Sequence, residues 1–171
     1  MTEMQPEPST AEAKRGRIVV ALDGSPRAAP ASGYPVLPYV EQFAARTRGS
    51  VTLVRAWSPH LDADLSTGVG ALVGDGSWRA SDAKARNAQH QAERYLEEVV
   101  TRLRCRGVAA DYELLEGPAG EMIVDEAEGL GAQMVAMTTH GRSGLGRLVL
   151  GSVADYVVQH TTCPVLLVRA A

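Results

Sequence analysis

A glycine-rich stretch in the second half of the chain has the residue types and spacing of a phosphate site. It reads TTHGRSGLG at residues 138–146 and reaches Gly151 and Ser152 after four further residues. Glycines let backbone N–H groups approach an anion closely, and a helix that opens at Gly151 offers unpaired N–H groups and its positive dipole end. Ser152 is expected to cap this helix and to offer its hydroxyl to a phosphate, while Arg142 and Arg147 add charge. The alternative is a tight turn followed by a serine-capped helix.

An aspartate follows the first apolar run of the chain, IVVAL at residues 18–22. Asp23 opens the turn-forming sequence DGSP. Its carboxylate can accept hydrogen bonds from a ribose or help to hold a metal ion. The alternative is an aspartate that only forms a turn. The glycine fingerprint of dinucleotide-binding proteins, G-x-G-x-x-G, is absent after this run.

The glycine-rich stretch is not an ordinary P-loop. Residues 141–148 read GRSGLGRL, which is close to the pattern G-x-x-x-x-G-K-[ST]. Arg147 stands where a P-loop has its phosphate-reaching lysine, and Leu148 has no hydroxyl for a magnesium ion. The sequence therefore excludes an ordinary P-loop NTPase.

Short apolar runs alternate with helical patterns along the chain. Strands are predicted at 18–22, 51–57, 111–116, 133–138 and 164–169, and helices at 36–48, 81–106, 119–128 and 152–160. Prolines delay the start of the first helix to Pro35 or Pro38, and Gly107 ends the second. This alternation predicts a single-domain α/β fold, with an open, Rossmann-like parallel sheet and helices on both faces. Ligands of such sheets bind beyond the carboxyl ends of the strands, where neighbouring crossovers run in opposite directions.

Two segments fall outside this alternation. Residues 1–14 are polar and without periodicity, so they are predicted to form a disordered N-terminal tail before a folded domain at 15–171. Residues 58–80 contain several glycines and are interpreted as a mobile loop. That loop is either a lid over a ligand or a plain surface connection.

Composition excludes several classes of protein. The 171 residues suit one domain, and a net charge of −3 with 5% aromatic residues argues against binding to nucleic acid or to an anionic membrane. No stretch is long and apolar enough to span a membrane, and the N-terminus lacks a secretory pattern, so a cytoplasmic location is expected.

Cys105 and Cys163 are expected to be free, buried thiols. The histidines show no paired spacing for a metal ion.

Four blocks of the sequence together resemble the universal stress protein family. They read VVALDGS at 19–25, MTTHGRSGL at 137–145, LGSVA at 150–154 and CPVLLV at 163–168. The resemblance runs from about Arg17 to Ala170. It implies a five-stranded parallel sheet in the order 3-2-1-4-5, in which the first and fourth strands are neighbours. Asp23 and the glycine-rich stretch would then face one crevice.

The resemblance is to the ATP-binding branch of the family, whose motif is G-x-x-G-x9-G-[ST]. Gly141, Gly151 and Ser152 match this motif, and Thr138 replaces its first glycine with a hydroxyl that can form a hydrogen bond instead. The resemblance implies a site for ATP, with magnesium held mainly by the phosphates. The implied contacts are Ala21 and Ala56 at the adenine, Asp23 at the ribose and phosphate region, and Gly141, Gly151, Ser152 and Val153 at the phosphates, with Thr138, Arg142 and Gly144 in the same loop.

The function implied by the resemblance is that of an ATP-binding module of a stress response, which forms a homodimer through its C-terminal edge strand. Two alternatives stay open. One is a family member that binds AMP, cyclic AMP or no nucleotide and works through protein interactions. The other is a slow ATP hydrolase, which needs a positioned base. His140 is the candidate base, but its place in a turn favours a structural role, so no catalytic residue is assigned.

Overall fold

The computed structural model describes residues 16–23, 34–57, 78–140 and 151–170. Within these ranges, five strands and four helices alternate along the chain. The strands are β1 (Ile18–Ala21), β2 (Ser50–Trp57), β3 (Ala109–Glu116), β4 (Met134–His140) and β5 (Val165–Ala170). The helices are α1 (Leu37–Thr47), α2 (Trp78–Cys105), α3 (Ala119–Gly129) and α4 (Ser152–His160).

Strand β1 lies at the centre of a parallel sheet. Its four residues are all buried, because strands flank it and helices cover both faces of the sheet. The strand order is β3-β2-β1-β4-β5, and Ala21 lies opposite Val54 of β2 and Met137 of β4. The predicted fold class is confirmed, and so is the strand order that the family resemblance implies.

Alternate side chains of β1 enter two different cores. Ile18 and Val20 pack with residues of α1 and α2 on one face of the sheet. Val19 and Ala21 pack with residues of α3 and α4 on the other face. The first two crossovers therefore run on one face and the last two on the other. They diverge between β1 and β4, which makes the carboxyl ends of these strands the expected place for a ligand.

Prolines and glycines mark the start of α1 and the end of α2, as the sequence predicts. α1 starts after Val36 and has Pro38 in its first turn, where a missing N–H costs nothing. Arg48 then closes α1 in the left-handed conformation, with φ of 53°. α2 ends at Cys105, and Gly107 follows with φ of +79°, a conformation that suits glycine.

The predicted loop at 58–80 is wrong at its end. α2 begins at Trp78, so the last three residues of that loop are helical. The rest of the loop, residues 58–77, and the predicted tail at 1–14 lie outside the described residues. In the part of the chain that the structure describes, no helix is long and apolar enough to cross a membrane.

Both cysteines are free thiols, as predicted, but the expectation that both are buried is wrong. Cys105 is exposed, because it lies beside the stripe of α2 that carries Leu96 and Leu103 into the core. Cys163 is half-buried, and its Sγ lies 3.3 Å from Oγ1 of Thr161.

Candidate functional site

A cavity of about 610 Å³ lies at the carboxyl edge of the sheet, bordered by β1, β2 and β4. Its wall also includes the first turns of α3 and α4, and Tyr34, which precedes α1. This position follows from the topology, since the crossovers diverge between β1 and β4 and leave the strand ends uncovered there. Small-molecule pockets have volumes in this range.

One side of the cavity is apolar. Ala21, Val54 and Met137 contribute to it from three adjacent strands, and Ile123 contributes from α3. All four residues belong to the core between the sheet and helices α3 and α4, and Ala56 continues the surface along β2. An aromatic base can bury its rings here, at roughly 25 cal/mol for each Å² of apolar surface removed from water.

The N-terminus of α4 forms another side of the cavity. Gly151 is the N-cap residue, with φ of 87° and ψ of 147°, close to a backbone conformation that only glycine adopts readily. The first helical hydrogen bond joins the N–H of Asp155 to the carbonyl of Gly151 at 2.9 Å. The N–H groups of Ser152, Val153 and Ala154 therefore have no acceptor within the helix. Together with the helix dipole, they favour an anion at this end of the cavity.

The expectation that Ser152 caps α4 is wrong. The N-cap is Gly151, and no side chain caps the helix. Ser152 is instead the first helical residue, where it is exposed and lines the cavity. Its hydroxyl is thus not engaged in capping and lies beside the N–H groups that favour an anion.

Asp23 lies two residues after the end of β1. The N–H of Leu22 donates to the carbonyl of Val54 at 2.9 Å and extends the strand pairing by one residue. Asp23 follows with an exposed side chain in the cavity wall. Burial raises the pKa of the Tyr34 hydroxyl well above its usual range, the charge of Asp23 raises it further, and Arg55 lowers it. The phenol of Tyr34 is therefore neutral near pH 7.

Two hydroxyls in the cavity wall have no hydrogen-bond partner within the described part of the chain. They are Oη of Tyr34 and Oγ1 of Thr138. Both hydroxyls are buried, and Tyr34 as a whole is only 3% exposed. An unsatisfied buried hydroxyl costs about 1–3 kcal/mol. Such groups indicate places where a ligand can supply the missing partner.

The structure brings most of the predicted site residues to this one cavity. Those that line it are Ala21, Asp23, Ala56, Thr138, Gly151, Ser152 and Val153. The predicted contacts at Gly141, Arg142 and Gly144 lie outside the described residues, as do Arg147 and the side chain of His140. Among the described residues, no group of three or more His, Cys, Asp or Glu side chains is placed to hold a metal ion.

The sequence patterns did not predict the contributions of Tyr34, Met137 and helix α3 to the wall. The position of α3 could have been predicted, because a helix that directly follows β3 begins at the carboxyl edge and must cross over to β4. Met137 lies one residue before Thr138 and follows from the register of β4 with β1. Tyr34 has no such signal, since it is an isolated aromatic residue in a proline-rich segment that matches no motif.

Sequence comparison relates the chain to stress proteins over nearly its whole length. The profile described as "Universal stress protein family" matches residues 14–169. The chain is 37% identical over 106 residues to a universal stress protein of Methanocaldococcus jannaschii, a match that covers 62% of this chain and 60% of that relative. The chain thus spans less than two thirds of the length of that relative.

Two solved structures with the same fold are complexes with a nucleotide. The universal stress protein from Archaeoglobus fulgidus in complex with dAMP has a TM-score of 0.58 and 22% identity, covering 89% of this chain and 96% of that chain. A universal stress protein in complex with cAMP has a TM-score of 0.62 and 20% identity, covering 92% and 98%. These likenesses show the shared fold. Because the family profile matches nearly the whole sequence, the chain belongs to the universal stress protein family.

Proposed function

We propose that the protein binds an adenine nucleotide, with ATP as the ligand, and acts as a binding module of a stress response. The main support is that the cavity combines two kinds of surface. One is an apolar side that includes Ala21 and Met137, and the other is the N-terminus of α4. A purine ring and a phosphate chain require these two kinds of surface. The dAMP and cAMP complexes of two structural neighbours support adenine nucleotides as the ligand class.

Each part of the nucleotide has a matching part of the cavity wall. The adenine packs against Ala21 and Ala56, and a ribose hydroxyl donates to the carboxylate of Asp23. The phosphates accept hydrogen bonds from the N–H groups of Ser152 and Val153. Magnesium comes with the ATP, because this ion keeps several waters and needs few protein ligands. The remaining proposed contacts come from the glycine-rich stretch and the residue before α4; they are Thr138, Gly141, Arg142, Gly144 and Gly151.

The proposed activity is binding rather than turnover. Hydrolysis of ATP needs a group that positions or deprotonates the attacking water. In the described part of the cavity wall, the titratable side chains are Asp23 and Tyr34. Burial raises the pKa of Tyr34, so this residue cannot act as a base near neutral pH, and Asp23 is assigned to the ribose. No phosphate release above background is expected with ATP and magnesium, and sustained release would favour a slow hydrolase instead.

We also propose that two copies of the chain pair through β5. This strand forms one edge of the described sheet, and its first four residues are apolar. Unpaired backbone groups on an apolar edge strand favour pairing with a second strand. Light scattering at micromolar concentration is expected to give the mass of two chains, and a monomer would contradict this part of the proposal.

Two measurements test the proposed ligand. A mass spectrum of the small molecules released by gentle denaturation is expected to contain an adenine nucleotide. Calorimetric titrations with ATP, ADP, AMP and cyclic AMP, each with magnesium, are expected to show the tightest binding for ATP. Tightest binding of AMP or cyclic AMP would keep the ligand class and overturn the choice of ATP. If none of these nucleotides binds at millimolar concentration, the proposed function is wrong.

A further inference from the structure

We infer that Tyr34 and Asp23 together recognise the neighbouring 2′ and 3′ hydroxyls of a ribose, and that Tyr34 makes the cavity selective for ribonucleotides; this rests on the proposed function. The Tyr34 hydroxyl is buried, belongs to a residue of the cavity wall and has no hydrogen-bond partner among the described residues. A ligand hydroxyl that reaches it restores the hydrogen bond that folding removed.

The backbone and the ring both hold Tyr34 in place. Its carbonyl accepts a hydrogen bond from the N–H of Leu37 at 3.1 Å, which ties it to the first residue of α1. Its ring packs edge-on against Tyr95 of α2, with ring centroids 5.7 Å apart and an angle of 67° between the ring planes. A ring fixed in this way keeps its hydroxyl in one position, as recognition of a ligand requires.

Tyr34 and Asp23 both line the cavity. The charge of Asp23 raises the pKa of the Tyr34 hydroxyl, yet no hydrogen bond joins the two side chains, since that hydroxyl has no partner in the described part of the chain. A ligand in the cavity can therefore contact both groups.

The chemistry of the two side chains matches a diol. A carboxylate only accepts hydrogen bonds, whereas a neutral phenol both donates and accepts. One ribose hydroxyl can therefore donate to Asp23 while the adjacent hydroxyl accepts from Tyr34. A phosphate fits this place poorly, because the negative charge of Asp23 repels it.

The test compares three nucleotides on three proteins. Dissociation constants for ATP, 2′-deoxyATP and 3′-deoxyATP are measured by calorimetry on the wild type, Tyr34→Phe and Tyr95→Phe. Tyr95→Phe is the matched control, because it also removes a buried hydroxyl that has no partner among the described residues. Tyr95 touches Tyr34 but does not contribute to the cavity wall.

The wild type is expected to bind ATP about 5- to 10-fold more tightly than at least one of the deoxynucleotides, the factor that one hydrogen bond provides. Tyr34→Phe is expected to weaken the binding of ATP by that factor and to leave the binding of the same deoxynucleotide unchanged. Tyr95→Phe is expected to bind all three nucleotides as the wild type does. The melting temperature of unliganded Tyr34→Phe is not expected to fall, because the substitution removes no hydrogen bond.

Equal weakening of all three nucleotides by Tyr34→Phe, or no weakening, would overturn the role of Tyr34, while ATP binding to the wild type would still support the proposed function. A clear fall in the melting temperature of unliganded Tyr34→Phe, with Tyr95→Phe unaffected, would also overturn it, because the hydroxyl would then have a partner within the protein. If the wild type binds none of the three nucleotides, both the inference and the proposed function are wrong.

Discussion

Ala21 of β1 lies directly opposite Met137 of β4 in the parallel register of the sheet. β1 ends at this pair, whereas β4 continues for three more residues beside β5. The space beyond Ala21 becomes the cavity, and Thr138 and Thr139 of β4 form part of its wall. The site therefore arises from the unequal lengths of two neighbouring strands at the point where the crossovers change face.

Gly120 allows α3 and α4 to pack closely beside the cavity. A Cβ atom at this position would lie 2.7 Å from Cδ1 of Tyr156. The Tyr156 ring cannot move away easily, because it stacks on His160 with 3.9 Å between ring centroids. Gly120→Ala is expected to lower the free energy of unfolding by about 1–3 kcal/mol, measured by urea denaturation.

Gly129→Ala is the control for this substitution. Gly129 is in the same helix, and a Cβ atom there would meet nothing within 4 Å. Because alanine favours helix more than glycine, this variant is expected to be as stable as the wild type or more stable, by up to about 1 kcal/mol. Equal effects at the two positions would show that helix propensity and not packing determines the result.

Glu126 makes the stability of the fold depend on pH. Burial raises the pKa of its carboxyl group, Glu113 and Asp111 raise it further, and Arg17 lowers it. The folded protein therefore holds this proton more tightly than the unfolded chain, so stability falls as pH rises through the range between the two pKa values. Glu126→Gln is expected to raise the melting temperature at pH 7, with a gain that shrinks below about pH 4, where the carboxyl is protonated in both states.

Glu128→Gln is the control for this charge, since Glu128 is exposed on the same helix. It is expected to change the melting temperature little at either pH. A destabilising effect of Glu126→Gln at pH 7 would mean that the attraction of Arg17 outweighs burial and the neighbouring carboxylates.

Thr138 and Thr52 have hydroxyls in opposite situations. Oγ1 of Thr138 has no hydrogen-bond partner in the described residues, whereas Oγ1 of Thr52 accepts a hydrogen bond from Nη1 of Arg17 at 3.2 Å. Thr52→Val is expected to destabilise the unliganded protein by about 1 kcal/mol, and Thr138→Val is not expected to destabilise it. Thr138→Val is instead expected to weaken ATP binding about fivefold, if one hydrogen bond to the ligand is lost. Comparable destabilisation by the two variants would show that the Thr138 hydroxyl is already paired within the protein.

Leu167 tests the proposed dimer without breaking the sheet. The N–H of Val135 donates to the carbonyl of Pro164 at 3.0 Å, so in a parallel pair the N–H of Leu166 points towards β4 and that of Leu167 points away from it. Leu167→Pro removes a donor from the open edge only. It is expected to give a folded monomer, as measured by light scattering and circular dichroism.

Leu166→Pro is the matched control, because it removes a hydrogen bond between β5 and β4. It is expected to lower the melting temperature markedly. A Leu167→Pro variant that stays dimeric would contradict pairing through β5.

Local sequence patterns predicted the fold because its strands and helix ends depend on residues that are close together in the chain. The run IVVA of β1 is buried on both faces and reads as a central parallel strand, and Gly107 ends α2 where its left-handed φ requires glycine. Local patterns did not fix the cap of α4, since Gly and Ser are both favoured at an N-cap and the pattern cannot locate a helix start to within one residue. Tyr34 was not predicted, because its place in the cavity depends on the path of the chain between Asp23 and α1, which no local pattern specifies.

Gly151 provides the most direct test of nucleotide binding at the N-terminus of α4. A side chain at its φ of +87° strains the backbone that presents the first N–H groups. Gly107→Ala is the matched control, because Gly107 also has a positive φ, of +79°, and open space around it, but it lies outside the cavity wall. Calorimetric titration with ATP and magnesium is the measurement. The wild type and Gly107→Ala are expected to bind alike, and Gly151→Ala at least about tenfold more weakly, which corresponds to 1.4 kcal/mol or more. Equal binding by Gly151→Ala and the wild type, or no binding by the wild type at millimolar ATP, would contradict the proposed site.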